Sequence, residues 1–211
     1  MEREIYGLAI VIVANVAFIR SGWCIVGVIR AVRNYRRASV TRWGLPELLT
    51  WPEMFLLAGI SIFLFVDRTA PAEATTGELA AAVSGGLLAA AALILSFWGF
   101  FSLPTMSTGH YVLGSQPVVE NGPYRWIRHP VYLGVLMIWF ALALAFQSAT
   151  TFLIAAVYVI PAFVFYIHSE EEMMADAYGA SYGDYCRRTG MLFPRFRRSS
   201  QTPIQPQAGE S

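Results

Sequence analysis

Five long apolar runs, each with at most one charged residue, constrain this 211-residue chain more than any other feature. Apolar residues make up 56% of the sequence and charged residues only 14%, against about 25% charged residues in an average soluble protein. A soluble core of this size cannot bury so much apolar surface behind so few charges. The bilayer must therefore act as part of the solvent, and we predict an all-α integral membrane protein.

The runs predict about five transmembrane helices, with the last two forming a helical hairpin. A polar connector, residues 147–151, suits a tight antiparallel turn between those two. The glycine and alanine residues of the third run favour close helix packing in lipid. The predicted spans are Ile5–Arg30, Leu48–Val66, Leu79–Phe101, Val131–Phe146 and Phe152–Ile167.

Arginine placement predicts the orientation of these spans. Five arginines crowd the first connector, Arg30–Arg42, and seven more follow Thr105 in the loop and the C-terminal segment, whereas the second connector, Asp67–Glu78, has one. Because cytoplasmic loops are enriched in basic residues, we expect an outside N-terminus and an inside C-terminus. We expect a bacterial inner membrane with the functional loop facing the cytoplasm, and for the first connector we favour this topological role over a catalytic one.

The chain divides into three predicted regions. Residues 1–103 form a three-helix membrane region, and residues 104–198 form a catalytic region of a loop, the hairpin and a cytosolic C-terminal helix. Residues 199–211 are predicted to be a disordered tail. A net charge of +1 argues against nucleic-acid binding. Cys24 and Cys186 match no disulfide or zinc spacing, and no metal site is predicted.

The stretch Gly122–Gly134 lies where the polar loop re-enters the membrane. Pro130 suits the first turn of the next helix, and the amide groups of that turn would face the loop, where they favour an anionic or polar ligand group. Tyr124, Trp126 and Tyr132 offer stacking surfaces. Composition alone favours the alternative, an interfacial belt of aromatic and arginine side chains.

A second stretch follows the last apolar run. Its side chains recur every three or four residues, which places them on one face of a helix. A carboxylate on such a face at a membrane boundary is costly unless it is paired. A solvated acidic helix start is the alternative, more plausible for Glu172 than for Glu170. The members of this stripe are Glu170, Met174, Tyr178, Tyr182 and Tyr185.

Together the two stretches resemble the isoprenylcysteine carboxyl methyltransferase family and the related phospholipid N-methyltransferases. The first matches Gly-Pro-Tyr-Arg-x-x-Arg-His-Pro-x-Tyr-x-Gly, and the second matches paired glutamates followed by an aromatic-Gly-x-x-Tyr-x-x-Tyr run. The resemblance covers about Gly109–Pro194. It implies a membrane enzyme that uses S-adenosylmethionine, bound on the cytosolic face without a Rossmann sheet.

The resemblance also implies a set of cofactor-binding residues. Valines and tyrosines would enclose the adenine, while His129 and Glu170 would hydrogen-bond the methionine moiety or the ribose. A carboxylate near the positively charged sulfonium would be favourable in a low dielectric. By position in this sequence, the set is Gln116, Pro117, Val118, Val119, Tyr124, His129, Pro130, Val131, Tyr132 and Glu170.

The sequence departs from the family at two positions. Gln116 stands where the family usually has histidine. Tyr166 stands where the prenylcysteine enzymes have an arginine that holds the substrate carboxylate. Arg125 and Arg128 are the candidate catalytic residues that would hold the substrate head group instead. We expect a lipid-like or hydrophobic small-molecule substrate, for which a neutral, amine or phenol-like acceptor fits best, and we expect membrane lipids as further partners.

Two other functions remain open from the sequence. Sterol reductases, which use NADPH, are similar in their C-terminal half, but they are usually longer and read Trp-Trp-Gly where this chain has Gly122-Pro-Tyr. A non-catalytic membrane scaffold is the third possibility, against which the co-occurrence of Tyr124, His129, Tyr132 and Glu170 weighs.

Overall fold

Helices account for nearly all regular structure in the protein. The computed structural model describes residues 2–42, 44–67, 75–104, 110–113 and 117–195, apart from the side chain of Cys24; the predicted disordered tail lies outside these residues. The all-α membrane fold predicted from the sequence is confirmed. The elements are α1 Glu2–Tyr35, β1 Val40–Thr41, α2 Leu45–Asp67, α3 Thr76–Ser102, β2 Tyr111–Val112, a 3-10 turn Gly122–Arg125, α4 Pro130–Ala145, α5 Ala149–Ile154, a π turn Ala155–Val159, α6 Ile160–Tyr178 and α7 Ala180–Arg188.

Within the described residues, four helical segments are long and apolar enough to cross a membrane: α1, α2, α3 and the continuous segment 149–178. The fifth predicted span, α4, is an apolar helix of 16 residues. Several helices also run past the predicted ends, because a helix continues into the polar interface where an apolar pattern stops. Thus α1 ends at Tyr35 rather than Arg30.

The last two predicted spans do form a hairpin, but its connector is shorter than expected. The second helix begins at Ala149 because the Ser148 hydroxyl accepts a hydrogen bond from the backbone of Thr151 at 3.2 Å. Gln147 supplies the sharp reversal with a φ of 49°. A serine that caps a helix start satisfies an otherwise unpaired amide, so the polar residues from Ala149 onward join the helix.

A π turn lies inside the second arm of the hairpin. Pro161 has no N–H group, and in a regular helix its ring would clash with the carbonyl four residues earlier. The wider turn at Ala155–Val159 accommodates the proline without breaking the helix. The segment from Ala149 to Tyr178 is therefore one continuous helix that extends from the hairpin connector to the end of the bundle where the polar loop lies.

Small residues allow α3 and α4 to pack in close contact. A Cβ at Gly85 would lie 2.6 Å from the Cβ of Ala145, and a Cβ at Gly134 would lie 2.0 Å from the Ser96 hydroxyl. A Cβ at Gly99 would similarly crowd Val131 at 2.9 Å. Close approach of backbones is the usual way in which helices associate in lipid, so α3 fixes the position of α4 along its whole length.

The single charges inside the first two apolar runs pair with each other. Arg20 Nη1 of α1 lies 3.2 Å from Glu53 Oε2 of α2. The other oxygen of Glu53 accepts a hydrogen bond from the Trp139 indole of α4 at 2.5 Å. Both charges are buried, and pairing is what makes a buried charge tolerable.

A two-stranded ladder ties the first connector to the long loop. Val40 pairs with Val112, and Thr41 pairs with Tyr111, in antiparallel register. Arg42 also forms ion pairs with Glu172 and Asp176 of α6. The three arginine-rich regions therefore lie at one end of the bundle, while their location in the cytoplasm stays a prediction.

Candidate functional site

A pocket lies at this end of the bundle, between the loop, the start of α4 and the α6–α7 segment. Counting the part that is open to solvent, its volume is about 840 Å³. Eight of the ten predicted cofactor residues line it: Pro117, Val118, Val119, Tyr124, His129, Val131, Tyr132 and Glu170.

The other two predicted residues have different positions. Pro130 is the first residue of α4 and packs behind the pocket, against α3 near Gly99. Gln116 lies outside the described residues. All five members of the predicted stripe line the pocket, although the chain bends at Gly179, so that the stripe crosses from α6 to α7 rather than following one helix.

Gly122 fixes the loop against the end of α3. Its φ is +56°, and a Cβ there would lie 2.3 Å from the Ser102 hydroxyl. Both the left-handed backbone and the close approach require glycine. The 3-10 turn that follows buries Tyr124, whose ring then forms one wall of the pocket.

The loop is also tied to the C-terminal segment by backbone hydrogen bonds. The Arg128 amide donates to the Gly190 carbonyl at 2.8 Å, and the His129 amide donates to the Met191 carbonyl at 3.1 Å. The Tyr185 hydroxyl donates to the Tyr124 carbonyl at 2.7 Å. These contacts hold α7 against the loop and close the pocket on the side away from the membrane helices.

His129 stands between two carboxylates. Its Nε2 lies 3.1 Å from Glu171 Oε1, and its Nδ1 lies 3.6 Å from Glu170 Oε2. Its ring stacks on the Tyr132 ring with centroids 5.5 Å apart. The imidazole is therefore fixed in orientation at the first residue before α4, facing the pocket.

Two buried polar atoms in the pocket have no hydrogen-bond partner among the described residues. They are the Tyr132 hydroxyl and Glu170 Oε2. Buried polar groups are nearly always hydrogen-bonded, and one left unpaired costs about 1–3 kcal/mol. Glu170 Oε2 lies 3.6 Å from His129 Nδ1 without a hydrogen bond, so this oxygen and the Tyr132 hydroxyl can both bond to a polar ligand.

The two arginines predicted to hold the substrate have different surroundings. Arg128 lines the pocket, but its guanidinium donates to Glu171 at 2.6 Å and to the Thr189 carbonyl at 2.7 Å. Burial lowers the pKa of Arg128, and the hydrogen bond and charge of Glu171 outweigh that effect and raise it. Arg125 is exposed and lies over the Trp126 ring, 5.1 Å from its centroid, outside the pocket. Their role toward substrate stays a prediction.

The tyrosines of the pocket are neutral phenols. Burial, followed by the negative charge of Glu170, raises the pKa of Tyr124 well above its usual range. Burial is likewise the largest cause of the raised pKa of Tyr182 and of Tyr185. These rings supply apolar surface and hydrogen-bonding hydroxyls, without negative charge, to any ligand that binds there.

Sequence reasoning missed several residues of the site. Glu171, adjacent to the predicted Glu170, is the partner of both Arg128 and His129. Tyr111, Val112 and Leu103 also line the pocket. A pairing between residues more than forty positions apart cannot be detected in the helical periodicity of the sequence. The run of consecutive glutamates beside an apolar segment was nevertheless a signal that more than one of them has a partner.

Comparisons with known proteins agree with this geometry. Residues 80–181 match the phospholipid methyltransferase family, a range that includes α4 and the whole hairpin. Methanethiol S-methyltransferase 1 of Bradyrhizobium diazoefficiens is 40% identical over 76 residues, which are 36% of this chain and 25% of that relative. The aligned part thus spans about a quarter of the relative's length. The predicted resemblance to membrane methyltransferases is confirmed.

Proposed function

We propose that this membrane protein transfers a methyl group from S-adenosylmethionine to a lipid-like or hydrophobic acceptor, in a site that faces the cytoplasm of a bacterial cell. The observation on which the proposal rests is a pair of buried polar atoms, the Tyr132 hydroxyl and Glu170 Oε2, that make no hydrogen bond with the described residues and lie in a pocket lined by most of the predicted cofactor residues. The match to the phospholipid methyltransferase family supports the reaction class.

The residues of the pocket fit this cofactor. Glu170 offers a carboxylate oxygen to the positively charged methionine end, and a buried opposite charge is favourable in a low dielectric. Val118, Val119 and Tyr124 offer apolar and aromatic surface to the adenine. When bound, S-adenosylmethionine supplies its sulfonium methyl carbon to the acceptor's nucleophilic atom while the carbon–sulfur bond breaks and the electron pair returns to sulfur.

The protein's own contribution is position and exclusion of water. His129 is held by Glu171 and by stacking on Tyr132, so its Nδ1 keeps one direction, toward Glu170 Oε2. Burial of Tyr132 and Tyr124 keeps water from the reacting atoms. Fixed geometry alone supplies a large rate factor in displacement reactions. A protonated acceptor would lose its proton to solvent at the open side of the pocket.

The acceptor is proposed to be a hydrophobic molecule of low polarity. The relative from Bradyrhizobium diazoefficiens is named for methanethiol, so small thiols belong among the first acceptors to test. Partition into the bilayer would deliver any such molecule to the helices that flank the pocket.

Binding measurements in detergent test the proposal. We expect S-adenosylhomocysteine to bind with a 1:1 stoichiometry and NADPH not to bind. NADPH binding without S-adenosylhomocysteine binding would indicate a reductase. Binding of neither, by a folded protein, would indicate a non-catalytic role. Incubation with labelled S-adenosylmethionine and a lipid extract would then identify the acceptor.

A further inference from the structure

A second cavity lies within the membrane bundle, enclosed by α1, α2, α3, α4 and α6. Its volume, including the open part, is about 980 Å³. Its wall comes largely from the N-terminal three-helix region rather than from the predicted catalytic region. Val131 and Tyr132 line both this cavity and the candidate cofactor pocket, so the two spaces share one wall.

The charges that face the cavity are paired. Glu53 binds Arg20 and the Trp139 indole. Glu47 contacts the His110 ring, accepts a hydrogen bond from the Gly44 amide at 2.9 Å, and lies 3.2 Å from the Tyr35 hydroxyl. Each carboxylate therefore has a positively charged partner, or one that can become so. An anionic head group that enters the cavity would have to lose its hydration. Arg20 and His110 would compensate for that cost only weakly, because each is already paired with a glutamate.

Two neutral donors in the same wall have no partner among the described residues. They are the Trp23 indole Nε1 and the Ser96 hydroxyl, both buried. Trp23 is held by edge-to-face contacts with Phe97 and Phe100, at centroid distances of 5.3 and 5.2 Å. An indole N–H can only donate. Both atoms can donate to a group that accepts a hydrogen bond, and an uncharged acceptor loses less hydration than an anion when it enters this largely apolar space.

We propose that this intramembrane cavity is the acceptor site, that it selects an uncharged apolar molecule, and that Trp23 and Ser96 orient the head group of that molecule. The inference rests on the proposed methyl transfer, because it places the acceptor beside the methyl donor, where Val131 and Tyr132 border both spaces. It goes further in assigning the site to the N-terminal region and in excluding carboxylate and phosphate head groups.

Photoaffinity labelling tests the site without relying on catalysis. The protein, in nanodiscs, is labelled with a decanol that has a diazirine in its chain. We expect labelled peptides from the cavity wall, including Val28 and Met54, and competition by 1-decanethiol but not by decanoate. Equal competition by decanoate would overturn the charge selectivity. Label confined to the lipid-facing residues Phe55 and Phe63 would overturn the site.

Variants give the residue-level test. Trp23→Phe and Ser96→Ala each remove one donor and should weaken specific labelling about threefold to tenfold, the effect of one net hydrogen bond. Trp98→Phe is the matched control, because Trp98 is 45% exposed and lies outside the cavity. Ser96→Ala keeps the test valid if Trp23→Phe does not fold, and unchanged labelling in both variants would overturn the assignment.

A parallel titration with S-adenosylhomocysteine separates the two proposals. Normal S-adenosylhomocysteine binding with no specific labelling would refute the acceptor site alone. Specific labelling with no S-adenosylhomocysteine binding would refute the methyl transfer and leave the cavity as a binding site.

Discussion

Glu170 Oε2 lies 3.6 Å from His129 Nδ1 and yet accepts no hydrogen bond from any described residue. Its neighbour Glu171 is, by contrast, bound to both Arg128 and His129. The two consecutive carboxylates, Glu170 and Glu171, thus have different structural roles. One holds the loop together, and the other faces the pocket with an oxygen available to a ligand.

Replacing Glu170 with alanine should weaken cofactor binding without unfolding the protein. Loss of one charged hydrogen-bond partner corresponds to about 1.5–3 kcal/mol, or roughly tenfold to hundredfold in affinity for S-adenosylmethionine. Calorimetry in detergent measures this. Glu172→Ala is the control, because Glu172 forms an exposed ion pair with Arg42 and such pairs contribute little. Unchanged affinity in Glu170→Ala would remove this residue from the site.

Replacing Arg128 with alanine should destabilise the C-terminal segment. The change leaves the Glu171 carboxylate and the Thr189 carbonyl without their donor. We expect a loss of about 2–3 kcal/mol, less than for a fully buried pair because Glu171 keeps some solvent contact. Thermal unfolding measures the loss. Arg125→Ala should leave stability within about 1 kcal/mol of the parent, since its stacking on Trp126 is exposed.

A different result would change the role of Arg128. If Arg128→Ala kept its unfolding temperature and lost activity, the arginine would act on the substrate rather than hold the loop.

Stability should fall as pH rises, through His110. Burial lowers the pKa of His110, but the hydrogen bond to Glu47 and the charges of Glu170 and Glu47 outweigh burial and raise it above its ordinary value of 6.5. A raised pKa in the folded state adds stability that is complete below the ordinary pKa and is lost as pH rises through the raised one. The apparent melting temperature should therefore drop as the pH rises above about 6.5.

Substitution of His110 by glutamine identifies the source of that drop. The variant should melt lower at pH 6 and show a much flatter pH dependence. His168→Gln is the matched control, because His168 is exposed. The same slope in His110→Gln as in the parent protein would assign the effect to another group.

A free prenylcysteine carboxylate should be a poor acceptor. Tyr166 is buried against His110 and Tyr132 and offers one neutral hydroxyl where the resembling enzymes have arginine. An anionic head in a partly desolvated site needs a cation or several donors. N-acetyl-farnesylcysteine with labelled S-adenosylmethionine checks this. Rapid methyl ester formation would mean that the loop arginines supply the anion site and that our interpretation of Tyr166 is wrong.

Local patterns were enough to predict several of the side chains that meet at the pocket. Pro130 marks the first turn of α4 because proline suits only that part of a helix, and the spacing from Glu170 to Tyr185 places their side chains toward one pocket. The bend at Gly179, with a φ of 55°, moved the last two tyrosines onto α7. Glycine so close to the helix end already allowed that break.

Long-range pairs could not be predicted in the same way. Arg20 with Glu53 and Glu47 with His110 meet only after α1, α2 and the loop have packed. Each residue alone looks like an unfavourable charge in or beside an apolar run. Its partner depends on helix rotation, which composition does not determine. The second cavity was missed for the same reason.

The π turn at Ala155–Val159 has a consequence for the angular setting of everything that follows it. Such a turn is equivalent to one residue more than a regular helix would use, and one residue corresponds to about 100° of rotation. Deleting a single residue there would leave the length of the helix almost unchanged. It would rotate Glu170 away from Tyr132 and Glu171 away from Arg128. This one irregular turn therefore sets the rotation of the helix that directs its far end into the pocket.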